Sequence, residues 1–140
     1  MNIAFFLTPK VEVAFEKTSS TMRQALERME HHGYSAIPIL DDEGKYFGTL
    51  TQGDLLLKLK YMPTLSFKDT RNINIKELEF NKKFKPVHIN CNIEDLFTVA
   101  IEQNFVPVVD DFNSFIGIIK RSAIMNYCFE RLFHQPIKEA

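Results

Sequence analysis

The chain has 140 residues, a formal net charge of −1 and 45% hydrophobic residues, enough apolar content for one compact body with a real core. A pI near 6.4 excludes the basic footprint of a duplex nucleic-acid binder, and the two cysteines, Cys91 and Cys128, are too few and too far apart for a disulfide framework or a zinc site. The apolar run Ile3 to Leu7 is short and lacks a basic flank, so it reads as neither signal peptide nor membrane span, and a reducing, cytoplasmic location is expected.

Residues 2 to 8 are expected to form a helical turn ended by Pro9, because the residue before a proline is driven out of the α region. From Lys10 to Glu16, apolar and polar residues alternate at Val11, Val13 and Phe15, which predicts a strand. Thr18 to Thr21 supply N-cap candidates. Met22, Ala25, Leu26 and Met29 then follow the spacing of one helical face, and Gly33 stops the helix after His32. Two apolar runs, Ala36 to Leu40 and Tyr46 to Leu50, flank Asp41-Asp42-Glu43-Gly44 and predict a hairpin. Pro38 has no N–H, so its strand is expected at an edge or beside a cleft. A helix follows from about Gly53 to Lys60.

Tyr61 to Asn74 reads as a polar connector, Ile75 to Leu78 as one helical turn, and Lys82-Lys83-x-Lys85 as a solvated basic patch. Pro86 to Ile89 predicts a strand. Asn92, with Asp95 three residues on, resembles a capping box for a helix carrying Ile93, Leu96, Phe97, Ala100 and Ile101. A second hairpin follows, Lys120-Arg121-Ser122 opens a last helix, and the tail beyond Gln135 is expected to fray.

The second half repeats the first. Pro38 and Pro107 are 69 residues apart, as are Gly48 and Gly117, and the flanking strand–turn–strand patterns match. The unit is about seventy residues long, a tandem repeat. At the hand-over from hairpin to helix, Gly48-x-x-Thr51-x-x-Asp54 sets a hydroxyl and a carboxylate beside backbone N–H groups that the first helical turn leaves unpaired, which suits a polyhydroxylated or anionic ligand.

Each copy (lead strand, amphipathic helix, proline strand, hairpin, G-x-x-T-x-x-D position, closing helix) resembles the CBS domain, and residues 9 to about 132 resemble a stand-alone CBS pair, or Bateman module. Phe5-Phe6-Leu7-Thr8-Pro9-Lys10 and His31-His32-Gly33-Tyr34-Ser35-Ala36-Ile37-Pro38 are similar to small firmicute CBS-pair proteins in particular. The resemblance implies an α+β fold of two β-α-β-β-α units packed as a pseudo-twofold pair, here divided as 1–68 and 69–140. It also implies a homodimer and an adenine nucleotide (AMP, ATP or cyclic di-AMP) in clefts between the repeats. No cofactor, nucleic acid or membrane is expected.

Within that frame, one cleft is expected to join an adenine pocket of Val87, His88, Phe105 and Val106 with ribose–phosphate contacts from Thr51 and Asp54. The other is expected to join Lys10, Val11, Tyr34, Ser35, Ala36 and Pro38 with Lys120 and Arg121. Lys120 and Ala123 stand where Thr51 and Asp54 stand in the first copy, so the second cleft lacks the ribose carboxylate: either it binds a phosphate-rich ligand weakly dependent on ribose contacts, favoured by its two cations, or it is empty.

Each position has a plainer alternative. Asp54 also suits a helix cap, Lys120 and Arg121 a solvated pair, Lys10 the surface, and Tyr34 and Phe105 the core. His31 and His32 sit where a helix dipole favours them. The favoured function is a non-catalytic sensor that reports an adenine nucleotide to a partner, and the alternative is a ligand-free interaction module. His88 and Cys91 lack an oxyanion or orienting motif, which argues against an enzyme.

Overall fold

The structure, a computed structural model, describes residues 1–80 and 84–134. Lys82 and Lys83 of the expected basic patch, and the tail beyond Gln135, lie outside the described residues. Two β-α-β-β-α units follow one another. The first is β2 (Glu16–Lys17), α1 (Met22–His32), β3 (Ala36–Leu40), β4 (Tyr46–Thr51) and α2 (Gln52–Tyr61). The second is β5 (Val87–His88), α3 (Ile93–Glu102), β6 (Phe105–Val109), β7 (Phe115–Lys120) and α4 (Arg121–Phe129). A further strand, β1 (Leu7–Pro9), precedes both. Among the described residues no helix is long and apolar enough to cross a membrane.

The local chemistry explains the boundaries. Thr21 and Gln24 close a capping box at the start of α1, and Gly33, at φ 68°, supplies the left-handed turn that ends it. Asn92 caps α3 by accepting a bond from the Asp95 N–H at 2.8 Å. In both units the lead strand runs parallel to the hairpin's first strand, and the hairpin register shifts at equivalent places, Ile39/Leu40 and Val108/Val109.

The N-terminal segment departs from its sequence reading. A 3-10 turn at Ile3–Phe6 leads into β1, which pairs antiparallel with β7 of the second repeat, giving a sheet ordered β1-β7-β6-β5 beside the first repeat's β2-β3-β4. The expected strand over Lys10 to Glu16 is a 3-10 turn at Lys10–Glu12, with only Glu16 and Lys17 in a ladder. The chain must cross from one sheet to the other between Pro9 and Glu16, and the tight turn makes that crossing.

The connector is also more ordered than its polarity implies. It holds a 3-10 turn at Phe67–Asn72, with the Arg23 guanidinium 3.7 Å from the centre of the Phe67 ring. The Met22 N–H donates to the Ile73 carbonyl and the Ile75 N–H to that of Ser20, at 2.7 and 2.8 Å. Ile75 and Leu78 are buried with Met22, Met29, Ile37 and Leu50. This packing carries the first repeat's core past the 68/69 division.

The hairpin turns join the repeats reciprocally. The Tyr46 N–H donates to the Asn113 carbonyl and the Phe115 N–H to the Gly44 carbonyl, both at 3.0 Å. Gly44 and Asn113 occupy equivalent turn positions, and both are left-handed, at φ 82° and 61°. Each turn is braced by an aspartate. Asp41 accepts from the N–H groups of Glu43 and Lys45, and Asp110 from those of Phe112 and Ser114, all at 2.9 Å. The Phe112 and Ser114 bonds hold the Asp110 carboxyl below the usual carboxylate range. Behind the joint, Ala36, Leu40, Phe105, Phe115 and Ile118 form a core shared by both repeats. Burial of Tyr46 there pushes its phenol up to about 12, and its hydroxyl shares a 2.7 Å hydrogen bond with Thr49.

The equivalent glycines 48 and 117 face different neighbours. A Cβ at Gly117 would lie 2.2 Å from the Thr8 carbonyl oxygen, whereas one at Gly48 would lie 2.9 Å from the Phe80 ring. Backbone cannot yield as a side chain can, so Gly117→Ala is expected to cost about 1–3 kcal/mol and Gly48→Ala clearly less; urea unfolding of both variants measures the difference. At the joint, Asn113→Ala should lose about 1–2 kcal/mol because alanine resists the left-handed region. Asn113→Gly should lose only the Nδ2 bond to the Tyr46 carbonyl, and equal denaturation midpoints for the two variants would refute this account of the turn.

Candidate functional site

A cleft of about 460 Å³ opens between the repeats. One wall comes from the first repeat. Tyr34, Ser35 and Ala36 enter it directly after the left-handed Gly33, and Pro38 follows. β2 pairs only with Ile39 and Leu40, so Pro38 lies past its end, beside the cleft. Phe105 and Ile118 form the facing apolar surface, with the polar Asn104 also in the lining, and Lys120, Arg121, Ser122 and Met125 close one end at the start of α4. Thr8, Glu12, Val13 and Ala14 complete the lining from the N-terminal crossover.

The basic end is built by packing. The Arg121 Nε–H donates to the carbonyls of Ala100 and Gln103 at 2.9 and 3.2 Å, so the C-terminus of α3 holds the guanidinium in place. No hydrogen bond among the described residues engages its Nη groups. Lys120 is exposed at the N-cap of α4 and makes no side-chain capping bond. The Arg121 N–H is taken by the Asn104 carbonyl at 2.9 Å, but no side chain caps the helix, so two cations and a helix start meet at one end of an apolar slot, an arrangement that favours a phosphate-bearing aromatic ligand.

Not every expected residue is there. Lys10 turns toward the first hairpin, its Nζ 5.6 Å from the Phe15 ring centre, and Val11 is 92% exposed. Neither lines the cleft, because the 3-10 turn replaces the alternation of a strand and presents Glu12, Val13 and Ala14 in their stead. Glu12, Asn104, Ser122 and Met125 were not legible as lining residues. Their placement depends on the crossover and on the facing ends of β6 and β7.

Among the described residues, those expected for the other cleft lie apart. The Thr51 N–H donates to the Asp54 carboxylate at 2.8 Å and the Asp54 N–H to the Thr51 hydroxyl at 3.1 Å, a closed capping box in which Asp54 is 7% exposed. The two residues border a separate open groove with Leu56, Leu57, Lys60, Glu79 and Phe80. Val87 and Val106 are buried in the second repeat's core with Ile3, Leu96 and Ile119. His88 pairs with Asp111 at 2.6 Å. Phe105 lies in the first-described cleft, with the Phe84 ring centre 5.1 Å away. The physical reason is strand parity. Successive side chains of β6 face opposite sides, so Phe105 and Val106 cannot share one pocket.

Among the described residues no group of three histidine, cysteine or acidic side chains is placed to hold a metal. The Cys91 thiol is pushed up by burial and further by the Asp95 charge, the opposite of an activated thiolate.

The comparisons agree with this architecture. The CBS domain family model matches residues 8–61 and 75–130. A curated relative, the cyclic di-AMP receptor B of Bacillus subtilis (strain 168), is 25% identical over 120 residues, covering 86% of this chain and 81% of its own. The crystal structure of CbpB in complex with c-di-AMP superposes with a TM-score of 0.84 at 23% identity, over 96% of this chain and 88% of the other. The Listeria monocytogenes CbpB complex with c-di-AMP gives 0.81 at 22% identity, over 95% and 98%. With a family match in each half, each spanning one β-α-β-β-α unit, the chain belongs to the CBS domain family and is a tandem pair of such domains.

Proposed function

We propose that the chain is a non-catalytic regulatory module that takes cyclic di-AMP into the cleft between Tyr34, Ala36 and Phe105 and the start of α4. The observation that carries this reading is the union, in one cavity, of a flat apolar wall with the Lys120–Arg121 pair. Adenine needs the first and phosphodiesters need the second. The relative named as a cyclic di-AMP receptor supports the choice of ligand. So does the charge of the lining. Glu12 offsets one of the two cations, which suits two singly charged diesters better than a triphosphate. Ribose contacts are not led by a carboxylate, since Ala123 stands in the place of Asp54.

The signal passes to a partner protein through a homodimer in the cytoplasm. Leu56 and Leu57 on α2, and Met125, Phe129 and Leu132 at the chain's last helical segment, are exposed. Such area is larger than isolated surface apolar residues require and fits a symmetric contact between copies. Light scattering at micromolar concentration should give about 33 kDa, twice the 16.3 kDa chain; a monomer mass would overturn the dimer.

Arg121 gives the sharper test. Hydrogen bonds to charged groups are worth about 1.5–3 kcal/mol, so Arg121→Ala should weaken cyclic di-AMP by about ten- to a hundredfold at 1.4 kcal/mol per decade. Arg121→Lys should lose nearly as much, because an ammonium cannot hold the α3 carbonyls and a phosphate together. Asp54→Ala should leave affinity unchanged while lowering stability by about 1 kcal/mol. Isothermal calorimetry with the three variants checks the affinities and urea unfolding checks the stability, and absence of binding to the wild type would favour the ligand-free interaction module.

A further inference from the structure

Tyr34 is a poor platform unless something holds it. The side chain is 37% exposed and sits on the first residues after a helix, where an aromatic ring has free rotamers to explore. The structure removes that freedom locally. α1 ends at His32, Gly33 reverses the chain at φ 68°, and the Tyr34 N–H donates back to the Met29 carbonyl at 2.9 Å. The reversal lays the Tyr34 ring nearly parallel to the His32 imidazole, with centroids 5.2 Å apart and planes inclined by 20°. His31 then meets His32 edge-on at 4.9 Å and 88°. Tyr34 also lines the cleft with Ser35 and Ala36.

We propose that His32 is a positioning residue for the cleft: its imidazole backs the Tyr34 ring and fixes it as a stacking surface for a purine. This rests on the reading of the cleft as a nucleotide site. A ring already ordered before binding loses less rotamer freedom on contact with the base, and offset-stacked rings attract beyond the area they bury. The role differs from that of a histidine kept only for the helix dipole, which would affect folding alone.

The chain contains no tryptophan and four tyrosines, so tyrosine emission is observable, and the difference between wild type and Tyr34→Phe isolates the Tyr34 contribution. Cyclic di-AMP is titrated into wild type, His32→Ala and His32→Phe, following heat and tyrosine emission, with melting temperatures recorded for each. Binding should change the Tyr34 emission of the wild type. His32→Ala should bind about three- to tenfold more weakly, the size expected for one lost aromatic contact, and His32→Phe should recover most of that loss. Unchanged affinity in His32→Ala, a loss that His32→Phe does not restore, or Tyr34 emission unaffected at saturation would each overturn the role of His32 while wild-type binding upholds the cleft. No binding to the wild type would overturn both readings.

Discussion

The reciprocal pair of hydrogen bonds between the hairpin turns is the constraint on which the rest depends. Each turn offers a left-handed residue whose carbonyl accepts an N–H from the first strand residue of the other repeat. Neither turn can move without breaking the other's bond, and the two aspartates prevent the turns from relaxing internally. That fixes the separation of β3 and β6, whose opposed faces form the shared core around Phe105 and Phe115. The cleft is the unfilled continuation of that core. Its width follows from the joint, and its chemistry from the residues that happen to close its end.

The two repeats use one plan for different ends. In the first, the residues at the start of the closing helix satisfy one another, hydroxyl to N–H and carboxylate to N–H. In the second, the same helix position carries Lys120, Arg121 and Ser122, and no side chain caps the helix. The first arrangement stabilises α2 and leaves little for a ligand. The second leaves the helix without a side-chain cap and Lys120 exposed, while Arg121 draws its order from the end of α3. Pseudo-symmetry of backbone therefore coexists with asymmetry of side-chain chemistry.

Much of the fold was legible because local signals and periodicity agreed. Gly33 and the Thr21 box bracket α1, and the 69-residue offset of Pro38 and Gly48 to Pro107 and Gly117 revealed the pair. Lys120, Arg121 and the Tyr34–Pro38 wall were named from the resemblance to the CBS pair rather than from periodicity, and they line one cavity. Lys10 and Val11 were misplaced because a 3-10 turn can carry an alternating sequence as easily as a strand can. Val87 and Val106 were misplaced because a run of apolar residues does not say which face of its strand meets the core. The capping role of Asp54 competed with a ligand role at a position that suits both, and only the geometry of its bonds to Thr51 separates them.

The placement of β1 has a consequence for synthesis. Leu7 pairs with Ile119, and Pro9 with Gly117, so β1, once made, waits for more than a hundred residues before its partner leaves the ribosome. Until then its backbone groups have only water or the wrong edge to bond to, and contacts this distant in sequence form slowly. The first repeat, with the connector through Leu78 filling its core, can collapse while the second is still being translated. Closing β1 over β7 needs Gly117, where the absence of a side chain lets the Thr8 carbonyl approach.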